Sequence, residues 1–322
     1  MKEKIIALKE KIIQEKYEIT KEEALNIYKN EPTEILCQCA LEITKSECSV
    51  KAELCSVINA KQGKCSENCK YCAQSAHWKT SCTPKQVITP EETLTSIKKA
   101  VENHIDRISL VTAGRSLSGK EFETILECYK KINEKFCGKI DLCASLGILS
   151  KEQLKLLKEN GVTRYHHNIE TSRNYFPFIC TTHTYDERIK TIMAAKEIGL
   201  EICSGGIIGM GESYEDRIDF AFEIKNLKVQ SVPINILMPI KGTPFENLQV
   251  LSNEEILRTF AVFRFIMPSQ VIRCAAGRKN LGNNGEKAFL SGANALISGD
   301  FLTTSGSTSE EDINMLKKLG LY

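Results

Sequence analysis

Two spacings of apolar residues alternate along most of the chain. Short runs in which apolar and polar positions trade places predict strands at LCSVINA (54–60), DRISLVTA (106–113), KIDLCASLG (139–147), TRYHHNIE (163–170), LEICSGGI (200–207), SVPINIL (231–237), QVIRCAAG (270–277) and NALIS (294–298). Stretches of helical spacing fill most of the gaps. Many open on a cap residue, as with Ser150 in SKEQLKLLKENG and Ser252 in SNEEILRTFAVFRF. Residues 1–50 read as helices, an amphipathic MKEKIIALKEKIIQEK and then TKEEALNIYKN behind Thr20 as N-cap. Strands alternating with helices in this way predict an α/β fold, a (β/α)8 barrel of the TIM type. Residues 1–50 form an N-terminal helical extension and residues 51–322 the barrel with a closing C-terminal segment. No low-complexity linker interrupts it.

Alternate strand residues face opposite sides, and here the two sets differ in kind. Ile108 and Leu110, Ile140, Leu142 and Ala144, Tyr165, His167 and Ile169, and Ile202 fall on the outward set. The inward set holds Arg107, Ser109, Asp141, Cys143, Ser145, His166, Asn168, Glu170, Glu201, Cys203, Ser231, Asn235 and Arg273. Cys55, Val57 and Asn59 share one face of the first strand. A barrel packed for stability alone fills its interior with Val, Ile and Leu. Each unmet buried polar group costs about 1–3 kcal/mol, so this inward set points to a chamber for a polar ligand and a metal centre. An ion-paired interior is the plainer alternative. Cys55, Cys143 and Cys203 converge from three strands and predict a metal site. Cys274 adjoins the inward Arg273 and joins that site only if the strand bulges there.

Charge is nearly balanced, 43 basic against 41 acidic residues in 322. That removes the electrostatic case for nucleic acid or an anionic membrane as partner. No stretch approaches the roughly 18–20 apolar residues of a membrane span, and the first residues lack the pattern of a signal peptide. Fourteen cysteines in such a chain predict reduced thiols, metal ligation and a cytoplasmic location.

Three of those cysteines, Cys65, Cys69 and Cys72 in KCSENCKYCAQSAHW, have the spacing C-x3-C-x2-C. Four-iron clusters usually take four thiolates; three close together leave one iron open to a small molecule. The alternative is a structural zinc, which would need a fourth ligand from His77 or Cys82. With Tyr71 just before the third cysteine, the motif resembles the signature of the radical S-adenosylmethionine (SAM) enzymes. The resemblance implies that the open iron chelates SAM and passes it an electron.

Further segments narrow the resemblance. CSENCKYCAQSAHW, LCASLGILS, HHNIETSRNYFPFICTTHTYDER, ICSGGIIGMGE, SVPINILMPIKGTP, IRCAAGR and FLTTSGST together resemble the biotin synthase family from about residue 50 to the end. The resemblance implies a sulfurtransferase that inserts sulfur into dethiobiotin. A 5′-deoxyadenosyl radical from SAM removes hydrogen, and an auxiliary iron–sulfur cluster supplies the sulfur. It further implies that Asn168 and Glu170 line the SAM and dethiobiotin pocket and that Arg188 faces the SAM carboxylate. Asn235 would contact substrate, Gly205 and Gly206 would let backbone approach SAM, and Thr303 and Thr304 would close over the substrate's carboxylate tail. Reduced flavodoxin or ferredoxin as electron donor and a homodimer follow from the same likeness.

The chain departs from the family at its auxiliary site. The family pattern for a two-iron cluster is three cysteines and an arginine; Cys143, Cys203 and Arg273 match, while Ser109 stands where the third cysteine is expected. Cys55 replaces a serine, and Cys274 an apolar residue. The expectation is altered ligation by Cys55, Cys143 and Cys203, with Cys274 as a further candidate, around a cluster that can exceed two irons. Ser109 keeps open a sister radical SAM enzyme of the hydrogenase-assembly or methylornithine-forming type. A non-catalytic iron–sulfur or zinc protein is the reading from another class.

Overall fold

The computed structural model describes residues 2–299 and 306–322. Thr303 and Thr304 lie outside the described residues. Nine strands, β1 (Glu53–Lys61), β2 (Arg107–Thr112), β3 (Asp141–Ser145), β4 (Val162–His166), β5 (Glu201–Cys203), β6 (Gly206–Ile208), β7 (Ser231–Ile236), β8 (Val271–Cys274) and β9 (Ala295–Ile297), run parallel in the order β5-β4-β3-β2-β1-β9-β8-β7-β6. A pairing of β5 with β7 at Cys203 and Ser231 closes the ring. β5 and β6 are two halves of the single run expected at 200–207. β5 pairs with β4 and β6 with β7, so the barrel has eight staves, the fifth broken.

The break lies at Ser204 and Gly205 and is a matter of backbone crowding. A side chain on Gly205 would put its Cβ 1.9 Å from the Pro233 carbonyl oxygen, and one on Gly206 would sit 2.1 Å from that of Glu170. In return Glu170 N donates to Gly205 O at 3.0 Å and Ile207 N to Glu170 O at 2.9 Å. Gly206→Ala must therefore displace the Glu170 backbone. Overpacking of this kind costs about 1–3 kcal/mol, and the expected readout is a lower melting temperature by calorimetry.

Sequence-local caps begin the helices as expected. Thr20 and Glu23 form a capping box before helix Lys21–Asn30, as do Ser150 and Gln153 before Lys151–Glu159. Ser252 accepts from Glu255 N at the start of Asn253–Ile266. Three helices (Lys2–Glu15, Lys21–Asn30, Thr33–Glu47) precede β1, and the third packs on helix Asn253–Ile266. The outward residues Ile108, Leu110, Leu142, Ala144, Tyr165 and Ile202 are buried in one core against the surrounding helices, the face parity assigned to them, and Val232, Ile234 and Ile272 join them there.

The inward set divides in two along the barrel axis. At the amino ends of the strands an ion network plugs the floor. Glu53 takes Arg164 at 2.9 Å, Arg107 at 3.0 Å and Arg273 on one carboxylate. Arg164 and Arg107 continue to Glu201 at 2.9 and 3.4 Å, and Arg107 to Asp141 at 3.1 Å. Three arginines hold the Glu53 carboxyl at about 2 against the upward pull of its own burial. Arg107, Asp141 and Glu201 thus pair among themselves at the floor of the barrel, with both carboxylates on its solvent-exposed rim. The chamber lies above them.

Candidate active site and metal centres

The chamber measures about 380 Å³. Its deep end carries Cys55, Cys143 and Cys203 with Ser109, Arg164, His166 and Arg273, and its upper wall carries Tyr71, Cys72, Asn168, Glu170 and Asn235. Strand register puts Ser109 beside Cys143, Cys143 beside Arg164, and His166 beside Cys203. A smaller cavity of about 150 Å³, lined by Cys65, Cys69, His183 and Arg188, adjoins it. The two share Ser145, His166, Asn168 and Glu170, so these residues form the partition.

The three spaced cysteines lie on the loop after β1. Cys65 closes a bracket with Gln74 and Ala76 (N–O distances 3.0 and 2.8 Å), and Cys72 N donates to Cys69 O at 3.0 Å. Trp78 Nε1 donates to the same Cys69 carbonyl at 3.0 Å. Cys65 and Cys69 look into the small cavity and Cys72 into the large one. Burial raises the Cys65 and Cys72 thiols, Cys72 to about 11. His77 spends its Nε2 on the Ser66 carbonyl at 3.0 Å and Cys82 accepts from Gln62 at 3.5 Å. Neither completes a zinc tetrahedron with the motif. Among the described residues Cys69 instead groups with Cys180 and His183, two side chains that strand parity and motif spacing had no means to flag.

Glu170 sits at φ +72°, in the left-handed region that is costly for a side-chain-bearing residue. That conformation, clamped by the two glycines, sets its carboxylate in the partition. Asn168 Nδ2 donates to Glu170 at 3.3 Å and its Oδ1 accepts from Gly205 N at 3.0 Å. Arg188 donates to Asn168 O at 2.7 Å and to His183 Nε2 at 2.9 Å, and lies 3.5 Å from Glu170. Asn235 bridges Gly206 O and Ala276 N, both at 3.1 Å, leaving one amide hydrogen toward the chamber. Gly205 and Gly206 line neither cavity. Their smallness lets the backbone pack against Pro233 and Glu170.

At the deep end burial raises the Cys55 and Cys143 thiols, and neighbouring thiols add to it, Cys203 for Cys55 and Cys55 for Cys143. Burial also opposes ionisation of Cys203, yet His166, Arg273 and Arg164 bring it down to about 7. Ser109 Oγ is buried there without a partner. Three thiols, two guanidinium groups and an orphaned hydroxyl around one void fit an iron–sulfur cluster, whose cations would relieve the cost of deprotonating the thiols. Cys274 does not join them. β8 runs without a bulge, so Arg273 faces inward and Cys274 outward, packed 3.5 Å from where a Gly285 Cβ would be. Arg164 was missed by the sequence reading, although the same parity that selects His166 selects it.

A closed parallel barrel with a three-thiol loop after its first strand defines a radical SAM enzyme, and residues 60–224 match the Radical SAM superfamily. Residues 233–322 match the Biotin and Thiamin Synthesis associated domain. The chain is 51% identical over 316 residues to the biotin synthase of Clostridium botulinum strain Langeland, covering 98% of each. It is 50% identical over 324 residues to that of Clostridium tetani, covering 100% and 99%. It belongs to the biotin synthase family. Solved structures of methylornithine synthase (TM-score 0.82, 18% identity, 98% of this chain and 96% of that one) and of the [FeFe]-hydrogenase maturase HydG (0.83, 17%, 99% and 74%) share the fold. At such identity the likeness shows the fold alone, and the sister-enzyme reading gives way to the biotin synthase family on the strength of the sequence relatives. The family uses a SAM-binding four-iron cluster and an auxiliary iron–sulfur cluster. No helix among the described residues is long and apolar enough to cross a membrane.

Proposed function

We propose that the two cavities divide the work of inserting sulfur into dethiobiotin, with SAM held at the partition and the sulfur source at the deep end. The observation that carries this reading is a single chamber meeting the cluster loop at Tyr71 and Cys72 and the three strand cysteines below. When bound, the four-iron cluster supplies the electron that cleaves SAM, and the auxiliary cluster supplies sulfur, chemistry no side chain offers.

The chain's own part is binding, orientation and exclusion of water. Cys65, Cys69 and Cys72 hold the four-iron cluster. Arg188, already anchored on Asn168 O and His183, offers its guanidinium to the SAM carboxylate. Glu170 accepts from the ribose hydroxyls, and Asn168 holds that carboxylate in place. Asn235 donates its remaining amide hydrogen to dethiobiotin. Cys55, Cys143 and Cys203 hold the auxiliary cluster, with Arg273 beside them. Ser109 leaves room where the family pattern has a ligand, and the shifted thiol set suits a cluster larger than two irons. Confining radical, C–H bond and sulfur to one chamber removes competing orientations and keeps water out.

Reduced flavodoxin or ferredoxin as donor and a homodimer rest on the family likeness. A cytoplasmic location is supported by the free state of all fourteen cysteines. Anaerobic incubation of the reconstituted protein with SAM, a reductant and dethiobiotin, followed by mass spectrometry, tests the activity. Biotin together with 5′-deoxyadenosine is expected. 5′-Deoxyadenosine without biotin would overturn the substrate.

Cys274→Ala is expected to leave iron content and biotin yield unchanged, because its thiol faces away from the chamber. A loss of auxiliary iron in that variant, counted chemically, would return Cys274 to the site.

A further inference from the structure

Cys180 enters none of the steps above, yet its thiol is held against the cluster loop. It follows the short helix Phe176–Ile179. Lys70 N donates to Ile179 O at 2.9 Å. Asn68 Oδ1 accepts from Thr181 N at 2.9 Å and Thr182 N at 3.3 Å, and Asn68 N donates to Thr182 Oγ1 at 3.1 Å. These bonds stitch residues 68–70 to residues 179–182. Across the seam the Cys69 and Cys180 sulfurs lie 3.7 Å apart, both buried. This is the only thiol–thiol hydrogen bond among the described residues. Cys72, only three residues from Cys69 in the sequence, faces the other cavity.

His183 stands beside the pair, with Nδ1 3.3 Å from Cys180 Sγ. Its Nε2 accepts from Arg188 Nε, so Nδ1 carries the ring proton and donates it to Glu67. A ring arranged so has no lone pair free for a cation. The group therefore reads as a dithiol rather than a second metal site.

We propose that Cys180 is a resolving thiol for Cys69: in the cluster-free chain, molecular oxygen joins the two as a disulfide. Two S–H bonds break and one S–S bond forms. The two electrons and two protons reduce one O2 to H2O2. The bond blocks cluster insertion while it lasts. It also keeps Cys69 at an oxidation level that a thiol reductant reverses, where an isolated thiol would go on to sulfinic and sulfonic acid, which it does not reverse. The seam lets the sulfurs meet without unfolding either segment, since its hydrogen bonds already hold the two backbones side by side. The inference rests on the reading of Cys69 as a cluster ligand.

The reconstituted full-length protein is stripped of iron with a chelator under anaerobic conditions and then exposed to air-saturated buffer. Free thiols are alkylated and the unreduced digest is mapped by mass spectrometry. A Cys69–Cys180 linked peptide is expected as the dominant cross-link. After reduction and reconstitution, the four-iron absorbance should recover in the parent. In Cys180→Ser, recovery should fall several-fold and over-oxidised Cys69 should rise several-fold. Cross-linking of Cys69 to Cys65 or Cys72 in the parent would overturn the proposal, as would equal over-oxidation in parent and variant. The parent map decides alone if the variant does not fold. Iron counts on Cys69→Ser keep the underlying reading separate: a full four-iron complement there would refute the ligand assignment whatever the cross-link map reads.

Discussion

Cys55→Ala is expected to abolish biotin formation while 5′-deoxyadenosine still appears. Cys55 shares the deep end of the chamber with Cys143 and Cys203, and its partners in strand register are Arg107 on β2 and Ile297 on β9. With Ser109 on the adjoining β2 wall, no other thiol on these strands can take its place, because iron favours sulfur over a hydroxyl oxygen. Losing one of three thiolates should empty the auxiliary site and leave the loop cluster intact. SAM cleavage then continues without a sulfur donor. Iron and sulfide counts, set beside the two product yields, read the difference. Loss of only the loop cluster's iron from Cys55→Ala would defeat the altered ligand set. Ser109→Cys offers the reciprocal test, since a restored thiol should tolerate the loss of Cys55.

The second large effect belongs to Glu53, which touches neither cavity. Its carboxylate is the common anion for Arg107, Arg164 and Arg273. Two of those cations are almost wholly buried, with Arg164 and Arg273 side chains 5% and 2% exposed. Glu53→Ala strands guanidinium charge in a region of low dielectric. Removing one partner of a buried ion pair costs about 3–5 kcal/mol. For a chain of this size that is a fall in melting temperature on the order of 10 °C, measured on the metal-free protein so that cluster loss does not enter. The cluster site should suffer as well. Arg273 Nη1 would keep its bond to Leu296 O at 2.9 Å but lose the carboxylate that draws its other nitrogen down to the floor. A variant as stable as the parent would show that the floor network contributes nothing net, as many exposed ion pairs do.

Much of this architecture was legible beforehand because the signals involved are local. The caps at Thr20, Ser150 and Ser252 depend on residues three apart. The strand faces depend on a period of two, and that period sorted Cys55, Ser109, Cys143, Asn168, Cys203, Asn235 and Arg273 onto the chamber wall. The spacing of Cys65, Cys69 and Cys72 is likewise a property of one loop. Parity has no axial coordinate, however. It put Arg107, Asp141 and Glu201 inside without saying that they sit at the amino ends of the strands, where they pair as a plug rather than line a cavity. It could not resolve Cys274 either, since only the unbroken register of β8 fixes which of two neighbours points in.

What the chain by itself determined was therefore the barrel, the two-faced strands and the cysteine loop, all set by interactions between residues a few positions apart. The tertiary structure alone decided the rest: the break between β5 and β6, where Gly205 and Gly206 yield to the Pro233 and Glu170 carbonyls; the left-handed backbone of Glu170; and the meeting of Cys69 with Cys180. Each is a contact between segments tens of residues apart. Such contacts are governed by excluded volume and by the hydrogen bonds of a closed barrel, and they leave no period in the sequence to read.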